Sequence, residues 1–524
     1  MALGESNNIT MNAAEAILGP TLKAGHGDRP AVLFRGTTLS FTELDRLANR
    51  FGNACLSAGL RRADRLLLMM NDRPDYLYAY LGVMKAGGVA VALNVRLAPD
   101  DLAFAIEDSG ARFLLIDDMF LPVYRQVADR LRNRPVVIVA DRMVEGHACL
   151  SDFMAGQADA LTAAPMEPED MAFWIYTSGT TGRPKGAVHG HRSVLAADGF
   201  LGGVLGVGPG DRLFCSSKLF FAFALGHCFI AALRLGVTVI LFEGWPSSEA
   251  IAGIVDEYRP TVLFSVPTFY RNLLRDGVPE SDAFRAVRHY LSAGEKLPRS
   301  LFEQWQGATD RPILEGIGTT ETVFLFLANR PTDRRPGSCG KPTPGTRIEL
   351  RDDDGVVIDT PGVPGLLWVR MGCLALRYWH QPDRSAATFR DGWYGTGDIF
   401  VRDEDGYYHH QGRGDDMLKV SGQWVSPAEI EEHVLRHRGV IDAAVVGAPD
   451  RDGLVRLALF AVPADSHADQ AALGEEVRLA LAATLSIYKC PRRIIFVDQM
   501  PRTATGKIQR FLLRQMAADR MGAG

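Results

Sequence analysis

Short apolar runs alternate with helical patterns early in the chain, and this alternation strongly limits how the chain can fold. The candidate strands are AVLF (31–34), RLLLMM (65–70), GVAVAL (88–93) and RFLLID (112–117). A helical pattern over residues 42–60 follows the first run and spaces Leu44 and Phe51 on one face. Strands that alternate with helices are typical of βαβ units, which build parallel sheets. We therefore predict an α/β fold.

A second series of strands and helices begins near residue 212. Its candidate strands are RLFCSS (212–217), VTVILF (237–242) and TVLFSV (261–266), with candidate helices at 219–235 and 247–258. From 345 to 412, short apolar pieces lie among Gly, Pro and Asp residues, which is typical of antiparallel β-structure. After residue 415 the pattern returns to candidate helices at 428–440 and 474–485 and a candidate strand at 457–464.

These patterns predict two domains. We expect a large N-terminal body, residues 1–414, of two α/β subdomains plus a β-rich subdomain, with a poorly packed lead-in over residues 1–30. We expect a small, mobile α+β domain at residues 415–524. Because ligands often bind in clefts between domains, the boundary near Asp415 is also where a site is expected.

The composition excludes several classes of function. With 524 residues and a net charge of −5, the chain is not the basic protein expected of a nucleic-acid binder. No apolar run reaches the roughly 18 residues of a membrane span, and the N-terminus lacks the basic and apolar regions of a signal peptide. The seven cysteines are scattered and form no CxxC pair, which is typical of free thiols in a reducing cytoplasm. We therefore predict a cytoplasmic protein.

A Gly- and Thr-rich loop follows the apolar run at 171–176. It reads YTSGTTGRPKG, from Tyr176 to Gly186. Glycines let the backbone approach an anion, and hydroxyls and a lysine can donate to phosphate oxygens. It is not a Walker loop, because Lys185 is followed by Gly186 rather than by Ser or Thr. The predicted phosphate-binding residues are Thr177, Ser178, Gly179, Thr180, Thr181, Gly182 and Lys185.

A second stretch of this kind, GIGTTE, covers residues 316–321. The carboxylate of Glu321 is a hard oxygen ligand, which Mg²⁺ prefers beside a polyphosphate. The dinucleotide motif GxGxxG fails here, because its last position is Glu321. The predicted nucleotide-site residues are Gly316, Ile317, Gly318, Thr319, Thr320 and Glu321, with Glu321 as the metal ligand.

Both stretches resemble signatures of the acyl-adenylate-forming superfamily, which includes acyl-CoA synthetases, peptide-synthetase adenylation domains and beetle luciferase. The first resembles its phosphate loop, and GIGTTE resembles its YG-[ST]-TE motif. Ile317 replaces the usual aromatic residue, a departure that the aryl-CoA ligase branch shares. The resemblance implies that Thr320 contacts the α-phosphate of ATP and that Glu321 binds Mg²⁺, which makes both catalytic residues.

Three further stretches resemble nucleotide contacts of this superfamily. They are SAGEK (292–296) beside adenine, YGTGD (394–398) at the ribose and GRGDD (412–416) at ribose and phosphate. A carboxylate suits a diol, because it accepts hydrogen bonds from both hydroxyls. The residues that these matches imply are Gly294, Glu295, Asp398 and Arg413.

The C-terminal part extends the resemblance. Asp415 matches the hinge residue about which the C-terminal domain rotates, and residues 419–431 match the loop that lines the pantetheine tunnel of CoA. Lys419 and Gly422 are the candidate contacts in that loop. The final motif, PRTATGK, ends at Lys507 and resembles the superfamily's catalytic-lysine motif. A mobile ammonium there would screen the incoming carboxylate from the α-phosphate.

Residues 216–226, SSKLFFAFALG, resemble the acyl-pocket segment of benzoate–CoA ligases. Aromatic rings separated by small residues make a flat slot that suits an aryl ring. No carboxylate occurs between Ser216 and Ile240, so the ammonium of an α-amino acid would lack a partner. The predicted substrate-binding residues are Phe221, Ala222, Phe223, Ala224 and Leu225.

Two departures from the benzoate pattern remove polar groups from this pocket. Phe223-Ala224 stands where Tyr-Gly is typical, and Phe324 stands near a position that is often His. Hydroxybenzoates, cyclohexane carboxylates, aryl-acrylates and medium-chain acids therefore stay open beside benzoate.

His189 and His191 form an HxH pattern of the kind found in zinc sites. On a strand, both rings would lie on one face, as zinc binding requires. No third candidate ligand stands nearby in the sequence, so we predict structural or pocket-edge histidines.

Together the motifs predict an ATP-dependent carboxylate–CoA ligase for benzoate or a related aromatic acid, which acts through an acyl-AMP and releases AMP and pyrophosphate. Its partners would be the acid, ATP with Mg²⁺, and coenzyme A. One alternative is an adenylating enzyme that loads an aryl or medium-chain acyl group onto the phosphopantetheine of a carrier protein. The other is a non-catalytic nucleotide sensor. The sequence sets no oligomeric state, and a homodimer stays open because dimers are common among similar enzymes.

Overall fold

Helices and strands alternate along most of the chain, as the apolar runs predict. The computed structural model describes residues 10–177, 184–414, 418–420, 423–449, 455–465, 468–502 and 508–522. The strands are β1 (Pro30–Phe34), β2 (Thr37–Ser40), β3 (Arg65–Met69), β4 (Val89–Ala92), β5 (Phe113–Ile116), β6 (Val136–Val139), β7 (Ala148–Cys149), β8 (Met171–Thr177), β9 (Lys185–Gly190), β10 (Arg212–Cys215), β11 (Thr238–Ile240), β12 (Val262–Ser265), β13 (His289–Ser292), β14 (Ile313–Gly318), β15 (Leu325–Ala328), β16 (Lys341–Pro342), β17 (Arg347–Arg351), β18 (Pro364–Arg370), β19 (Arg377–Tyr378), β20 (Phe389–Arg390), β21 (Trp393–Arg402), β22 (Tyr408–Arg413), β23 (Leu418–Val420), β24 (Gln423–Val425), β25 (Val440–Pro449), β26 (Val455–Pro463) and β27 (Arg493–Phe496).

The helices fill the intervals between these strands. They are α1 (Ala13–Lys23), α2 (Phe41–Ser57), α3 (Pro74–Lys85), α4 (Pro99–Ser109), α5 (Leu121–Arg125), α6 (Leu150–Phe153), α7 (Asp198–Leu201), α8 (Ala222–Ala224), α9 (Ala232–Arg234), α10 (Ser248–Tyr258), α11 (Pro267–Arg275), α12 (Asp282–Arg285), α13 (Arg299–Thr309), α14 (Pro382–Thr388), α15 (Pro427–Val434), α16 (Gln470–Thr484) and α17 (Arg510–Gly522). A π-helical segment, Leu225–Ala231, joins α8 to α9. In the described part of the chain, no helix combines the length and the apolar character needed to cross a membrane.

The chain divides into two units. The first comprises Met1–Ile348 and Trp368–Gly395, and the second comprises Glu349–Leu367 and Thr396–Gly524. The predicted hinge residue, Asp415, lies outside the described residues. The predicted boundary at that residue therefore stays a prediction.

Two large sheets build the first unit. One has eight strands in the order β19-β9-β8-β4-β3-β5-β6-β7, and the other has nine in the order β16-β15-β14-β13-β12-β10-β11-β1-β2. Strands β3, β4, β5, β6 and β8 form parallel pairs in the first sheet, and β10 to β14 form parallel pairs in the second. Strands β4 and β5 are buried along their whole length, as expected where helices cover both faces of a sheet. The predicted parallel sheets are confirmed.

Strand β1 shows what the order of the chain cannot decide. It is the first strand in sequence, yet it pairs in parallel with β11, with Val32 opposite Val239. It therefore belongs to the second sheet, although β3, β4 and β5 after it all belong to the first. Sheet membership depends on long-range pairing, which apolar periodicity does not encode.

The lead-in is better packed than predicted. Helix α1 buries Ala13 and Ile17 completely. Its N-cap, Asn12, also donates a side-chain hydrogen bond to the carbonyl of Met84 at 3.0 Å. The prediction of a poorly packed segment over residues 1–30 is therefore wrong for this helix, because Ala13 and Ile17 already mark a helical apolar face at i and i+4.

The second unit is built on a three-stranded sheet in the order β25-β26-β27. The β25–β26 pair is antiparallel, whereas the β26–β27 pair is parallel. Val445, Leu459 and Val477 pack in one buried cluster of this unit, which joins β25 and β26 to α16. This arrangement confirms the predicted α+β class. The region predicted to be β-rich forms a smaller sheet in the order β17-β18-β21-β20, with β22 paired to β21.

A core substitution in the second unit tests this packing. Leu459 is fully buried on β26, so Leu459→Ala removes packed methyl groups and leaves a cavity. We expect the free energy of unfolding to fall by about 2–5 kcal/mol. Urea denaturation followed by circular dichroism measures the change. Leu479→Ala on α16 is the matched control, because the Leu479 side chain is 63% exposed. Equal losses in the two variants would contradict the assigned core.

Candidate active site

Glu321 lies in a tight turn directly after β14. The Thr319 N–H donates to Thr322 Oγ1 at 3.0 Å, and the Val323 N–H donates to the Thr319 carbonyl at 3.0 Å. Val323 has a left-handed backbone with φ of 60°, which is uncommon for a β-branched residue. The turn holds Glu321 with only 5% of its surface exposed.

Three donors surround the Glu321 carboxylate. Its Oε1 accepts from Lys185 Nζ at 2.9 Å and from the Tyr378 hydroxyl at 2.7 Å. Its Oε2 accepts from the Tyr394 hydroxyl at 3.1 Å. Burial alone would raise the pKa of Glu321, but the Lys185 ammonium and the Tyr378 hydroxyl outweigh it and lower the pKa to about 2. The carboxylate is therefore ionised at neutral pH, as a metal ligand must be.

Sequence reasoning missed both tyrosines as functional residues. Tyr394 lies in the YGTGD stretch, for which the family resemblance implies a role for Asp398 alone. Tyr378 carried no motif signal, because its contact with Glu321 spans 57 positions of the chain. Only the fold brings these groups together.

Lys185 and Thr177 face each other across an antiparallel pair. β8 ends at Thr177 and β9 begins at Lys185, and the two residues are register partners. The Lys185 ammonium also lies 3.9 Å from the centre of the Tyr378 ring, a cation–π distance. Residues 178–183, between the two strands, lie outside the described residues. The predicted roles of Ser178, Gly179, Thr180, Thr181 and Gly182 therefore stay predictions.

His189, on the same strand as Lys185, contacts the backbone of the Glu321 turn. Its Nε2 lies 2.9 Å from the carbonyl of Thr320, and its ring stacks on Phe173 at 4.9 Å. Burial lowers the pKa of His189 to about 4, so the neutral ring donates from Nε2 to that carbonyl. His191 instead accepts from a backbone N–H of α1. Among the described residues, no three His, Cys, Asp or Glu side chains form a metal-binding group. Structural roles for both histidines agree with these contacts.

The SAGEK and GIGTTE stretches begin within the last residues of two neighbouring parallel strands. β13 and β14 pair with Ser292 opposite Glu315, so the loops that follow lie at one edge of the sheet. Gly294 takes a left-handed backbone with φ of 88°, which favours glycine. Glu295 accepts from the hydroxyl of Thr268 at 2.9 Å. The edge brings the two predicted nucleotide stretches together, and their ligand roles stay predictions.

Close packing against neighbouring backbone requires glycine at two positions of GIGTTE. A Cβ at Gly316 would lie 2.9 Å from the carbonyl of Leu327, and one at Gly318 would lie 2.7 Å from the carbonyl of Phe324. The neighbouring backbone therefore excludes larger residues at both positions. Ile317 between them is partly exposed. The Thr319 hydroxyl is buried and, within the described part of the chain, lacks a hydrogen-bond partner. A phosphate oxygen would satisfy it.

Asp398 and Arg413 form a second polar group, in the second unit. They are register partners on β21 and β22, and Arg413 Nη1 lies 3.3 Å from Asp398 Oδ1. Arg413 also donates to the carbonyl of Thr396 at 2.8 Å. Lys419 lies on β23, opposite Trp424 of β24. Gly422 and Lys507 lie outside the described residues, so their predicted roles stay predictions.

The predicted acyl segment forms α8 and enters the π-helical segment. Phe221, Ala222 and Phe223 keep part of their surface exposed, whereas Ala224 and Leu225 are fully buried in the core. The face available to a substrate is therefore that of residues 221–223. A π-helical turn widens the helix locally, and such turns are frequent at functional sites.

His227, in this π-helical segment, escaped the sequence analysis. Its Nδ1 lies 3.1 Å from the Phe223 carbonyl, and its Nε2 accepts from the Leu325 N–H at 3.3 Å. Burial lowers the pKa of His227 to about 4, which leaves the ring neutral with its proton on Nδ1. The ring centre lies 5.5 Å from those of Phe264 and Phe324. His227 therefore ties the acyl segment to β15 inside an aromatic wall.

A buried ion pair anchors the start of the same segment. Lys218 Nζ lies 3.7 Å from Asp72 Oδ2 and donates to the Phe242 carbonyl at 2.6 Å. Asp72 Oδ1 accepts from the Leu219 N–H at 3.1 Å. Burial raises the pKa of Asp72 to about 6, although the Lys218 charge opposes the shift. These contacts fix the backbone that leads into Phe221.

Comparison with known proteins identifies the family. The AMP-binding enzyme family matches residues 22–379, and the AMP-binding enzyme C-terminal domain matches residues 429–507. The chain belongs to the AMP-binding enzyme family. The predicted superfamily and the predicted large α/β body with a smaller C-terminal domain are confirmed.

Relatives within the AMP-binding enzyme family include aryl-CoA ligases. The chain is 50% identical over 506 residues to a 3-hydroxybenzoate–CoA ligase of Aromatoleum sp. (strain CIB), with 97% of each chain covered. It is 48% identical to a 3-hydroxybenzoate–CoA/4-hydroxybenzoate–CoA ligase of Thauera aromatica, again with 97% of each covered. The solved benzoate CoA ligase of Burkholderia xenovorans LB400 superposes with a TM-score of 0.86 at 35% identity, over 96% of this chain and all of that one.

The buried Asp72 predicts a pH effect on the stability of this family member. The folded state keeps the Asp72 proton up to about pH 6, whereas the ordinary pKa is 3.8. The folded state therefore binds more protons between these values, and its free energy of unfolding falls as pH rises through that window. Relative to Asp72→Asn, which has no such proton, wild type should lose about 3 kcal/mol between about pH 4 and pH 7.

Urea denaturation of both proteins at several pH values measures this difference. Asp256→Asn is the control, because Asp256 is exposed on α10 of the same unit. A difference between wild type and Asp72→Asn that stays constant with pH would contradict the buried assignment.

Proposed function

We propose that this chain joins 3-hydroxybenzoate to coenzyme A in an ATP-dependent reaction that passes through an acyl-AMP and releases AMP and pyrophosphate. ATP-dependent ligation of an aromatic acid to CoA, as predicted from the motifs, is supported by whole-length similarity to aryl-CoA ligases. The observation that carries the proposal is the 50% identity to a 3-hydroxybenzoate–CoA ligase over 97% of both chains.

The choice of acid rests on the relatives and on the acyl segment. The two relatives named for 3-hydroxybenzoate are 50% and 48% identical, whereas a relative named for benzoate is 37% identical. Phe221 and Phe223 keep exposed surface, and His227 closes the wall behind Phe223. Aromatic rings that keep part of their surface exposed favour contact with a flat aryl group. The proposed substrate contacts are therefore Phe221, Ala222 and Phe223, whereas the predicted contacts Ala224 and Leu225 are buried in the core.

The nucleotide would bind between the phosphate loop and the Glu321 turn. The loop at 177–185 would hold the β- and γ-phosphates, and Thr320 would contact the α-phosphate. The residues also fit Mg²⁺. Glu321 is an ionised carboxylate, and Mg²⁺ takes most of its ligands from phosphates and water rather than from a cage of protein groups. When bound, the metal neutralises charge on the departing pyrophosphate.

In a metal–phosphate complex, Lys185 suits the phosphate and Glu321 suits the metal ion. They lie 2.9 Å apart as an ion pair. A phosphate oxygen at Lys185 and a cation at Glu321 would keep each charge partnered. The two residues would therefore orient the pyrophosphate leaving group without leaving a buried charge unpaired.

The reaction would then run in two half-reactions. The substrate carboxylate attacks the α-phosphorus and pyrophosphate leaves, while Lys507 screens the two anions. The domain at 415–524 then turns about Asp415 and brings Lys419 and Gly422 to the pantetheine tunnel. The CoA thiol attacks the acyl carbonyl, and AMP leaves. Asp398 and Arg413 would hold the ribose in this scheme.

Two further assignments complete the proposal. None of the seven cysteines, all of which lie in the described residues, forms a disulfide. This supports a reducing compartment, and we place the enzyme in the cytoplasm. A homodimer stays a proposal drawn from similar enzymes.

A substrate panel tests the function directly. Pyrophosphate release is measured with MgATP, with and without CoA, on 3-hydroxybenzoate, 4-hydroxybenzoate, benzoate, cyclohexane carboxylate and a linear acid. We expect multiple turnovers only with CoA and the highest kcat/KM on 3-hydroxybenzoate. A single-turnover burst that CoA does not relieve would favour loading of a carrier protein. ATP binding without pyrophosphate release on any acid would favour a nucleotide sensor.

Separate measurement of the two half-reactions tests the proposed role of Lys507. Lys507→Ala should lower acyl-AMP formation by about 100-fold or more, because an electrostatic group is lost at the attacking centre. It should largely spare thioester formation from supplied acyl-AMP. Single-turnover assays of each half-reaction measure both rates. Lys23→Ala, at an exposed position of α1, is the control for the lost charge. Equal losses in both half-reactions would contradict the assignment.

A further inference from the structure

Two tyrosines outside the predicted motif roles hold the carboxylate of Glu321. We propose that Tyr378 and Tyr394 are positioning residues, which orient this carboxylate toward the metal ion of MgATP. The inference rests on the proposed function in one respect, the role of Glu321 as metal ligand. It assigns these two side chains a task that neither the motifs nor the family matches supply.

The two phenols act on different oxygens of one carboxylate. Tyr378 donates to Oε1 at 2.7 Å, and Tyr394 donates to Oε2 at 3.1 Å. Each tyrosine is only 3% exposed, so water competes little for these bonds. A carboxylate held at both oxygens cannot rotate freely about its terminal bond. Its remaining lone-pair directions are therefore defined before a ligand arrives.

Tyr378 links Glu321 to Lys185 as well. Its hydroxyl contacts the carboxylate while its ring lies 3.9 Å from the Lys185 ammonium. The phenol donates its hydrogen to the carboxylate, and it stabilises the negative charge without taking it up.

Phe389 spaces the two tyrosines. Its ring centre lies 5.4 Å from that of Tyr378 and 5.6 Å from that of Tyr394, with the second pair stacked. Strand pairing fixes the backbone of all three residues. Phe389 is the register partner of Tyr394 on β21, and Tyr378 is the partner of Ala187 on β9. The segment from β19 to β21 thus presents two hydroxyls at a set separation.

A purely structural role of the two tyrosines predicts a different result. Removing one hydroxyl would then lower thermal stability and leave metal-dependent binding unchanged. A positioning role predicts that the loss appears only when the metal is present. Binding of ATP with and without Mg²⁺ distinguishes the two, and it requires neither the acid nor turnover.

The test is calorimetric binding of ATP to the full chain, once with Mg²⁺ and once with EDTA. For Tyr378→Phe and Tyr394→Phe we expect the Kd for MgATP to rise roughly tenfold, with less than a twofold change for metal-free ATP. Tyr290→Phe is the matched control, because its buried hydroxyl bonds the backbone carbonyl of Phe284 in the same unit. Its MgATP affinity should match wild type.

A second variant guards against misfolding. Phe389→Leu keeps both hydroxyls but loosens their spacing, and it should raise the MgATP Kd by a smaller factor than either tyrosine change. Wild-type MgATP affinity in both tyrosine variants, or equal losses with and without Mg²⁺, would overturn the proposal. Failure of pyrophosphate release on every acid would instead count against the proposed function, because the binding test does not depend on the acid.

Discussion

The buried negative charge of Glu321 is the interaction on which the rest of the site depends. A carboxylate with 5% exposure has lost most of its hydration, which costs several kcal/mol unless donors replace the water. Lys185, Tyr378 and Tyr394 supply those donors from three different strands. The charge is stable only when all three strands are in register. The site is therefore a product of the whole first unit rather than of one loop.

The pairing of the strands brings the Glu321 carboxylate and its donors together. Lys185 and Glu321 are 136 positions apart, and they meet because β9 and β14 place their ends at neighbouring points of the first unit. His189, four residues along β9, then supports the Glu321 turn through the carbonyl of Thr320. One strand thus carries both the ammonium that faces the carboxylate and the imidazole that holds its backbone. Burial keeps that imidazole neutral, and the Thr320 carbonyl holds its proton on Nε2.

Buried polar contacts also fix the acyl segment, although its own surface is apolar. Its apolar surface is held in place by a few buried polar contacts, since hydrogen bonds carry direction and apolar packing does not. Asp72 fixes the backbone before Phe221, and His227 ties the following turn to β15. The partly exposed rings of Phe221 and Phe223 are thereby held on a fixed backbone. Neither anchor belonged to a motif, because each acts through backbone groups that any sequence carries.

The sequence by itself determined the parallel α/β class, the order of the strands and which stretches are predicted to hold the nucleotide, because apolar periodicity and Gly/Thr patterns are local properties. It also predicted the aryl-CoA ligase likeness. Only the tertiary structure decided that β1 joins the second sheet, that α1 packs, and that Tyr378, Tyr394 and His227 belong to the site. Those outcomes depend on pairings across many tens of residues. A local pattern can specify which groups are present, but long-range packing alone sets which of them meet.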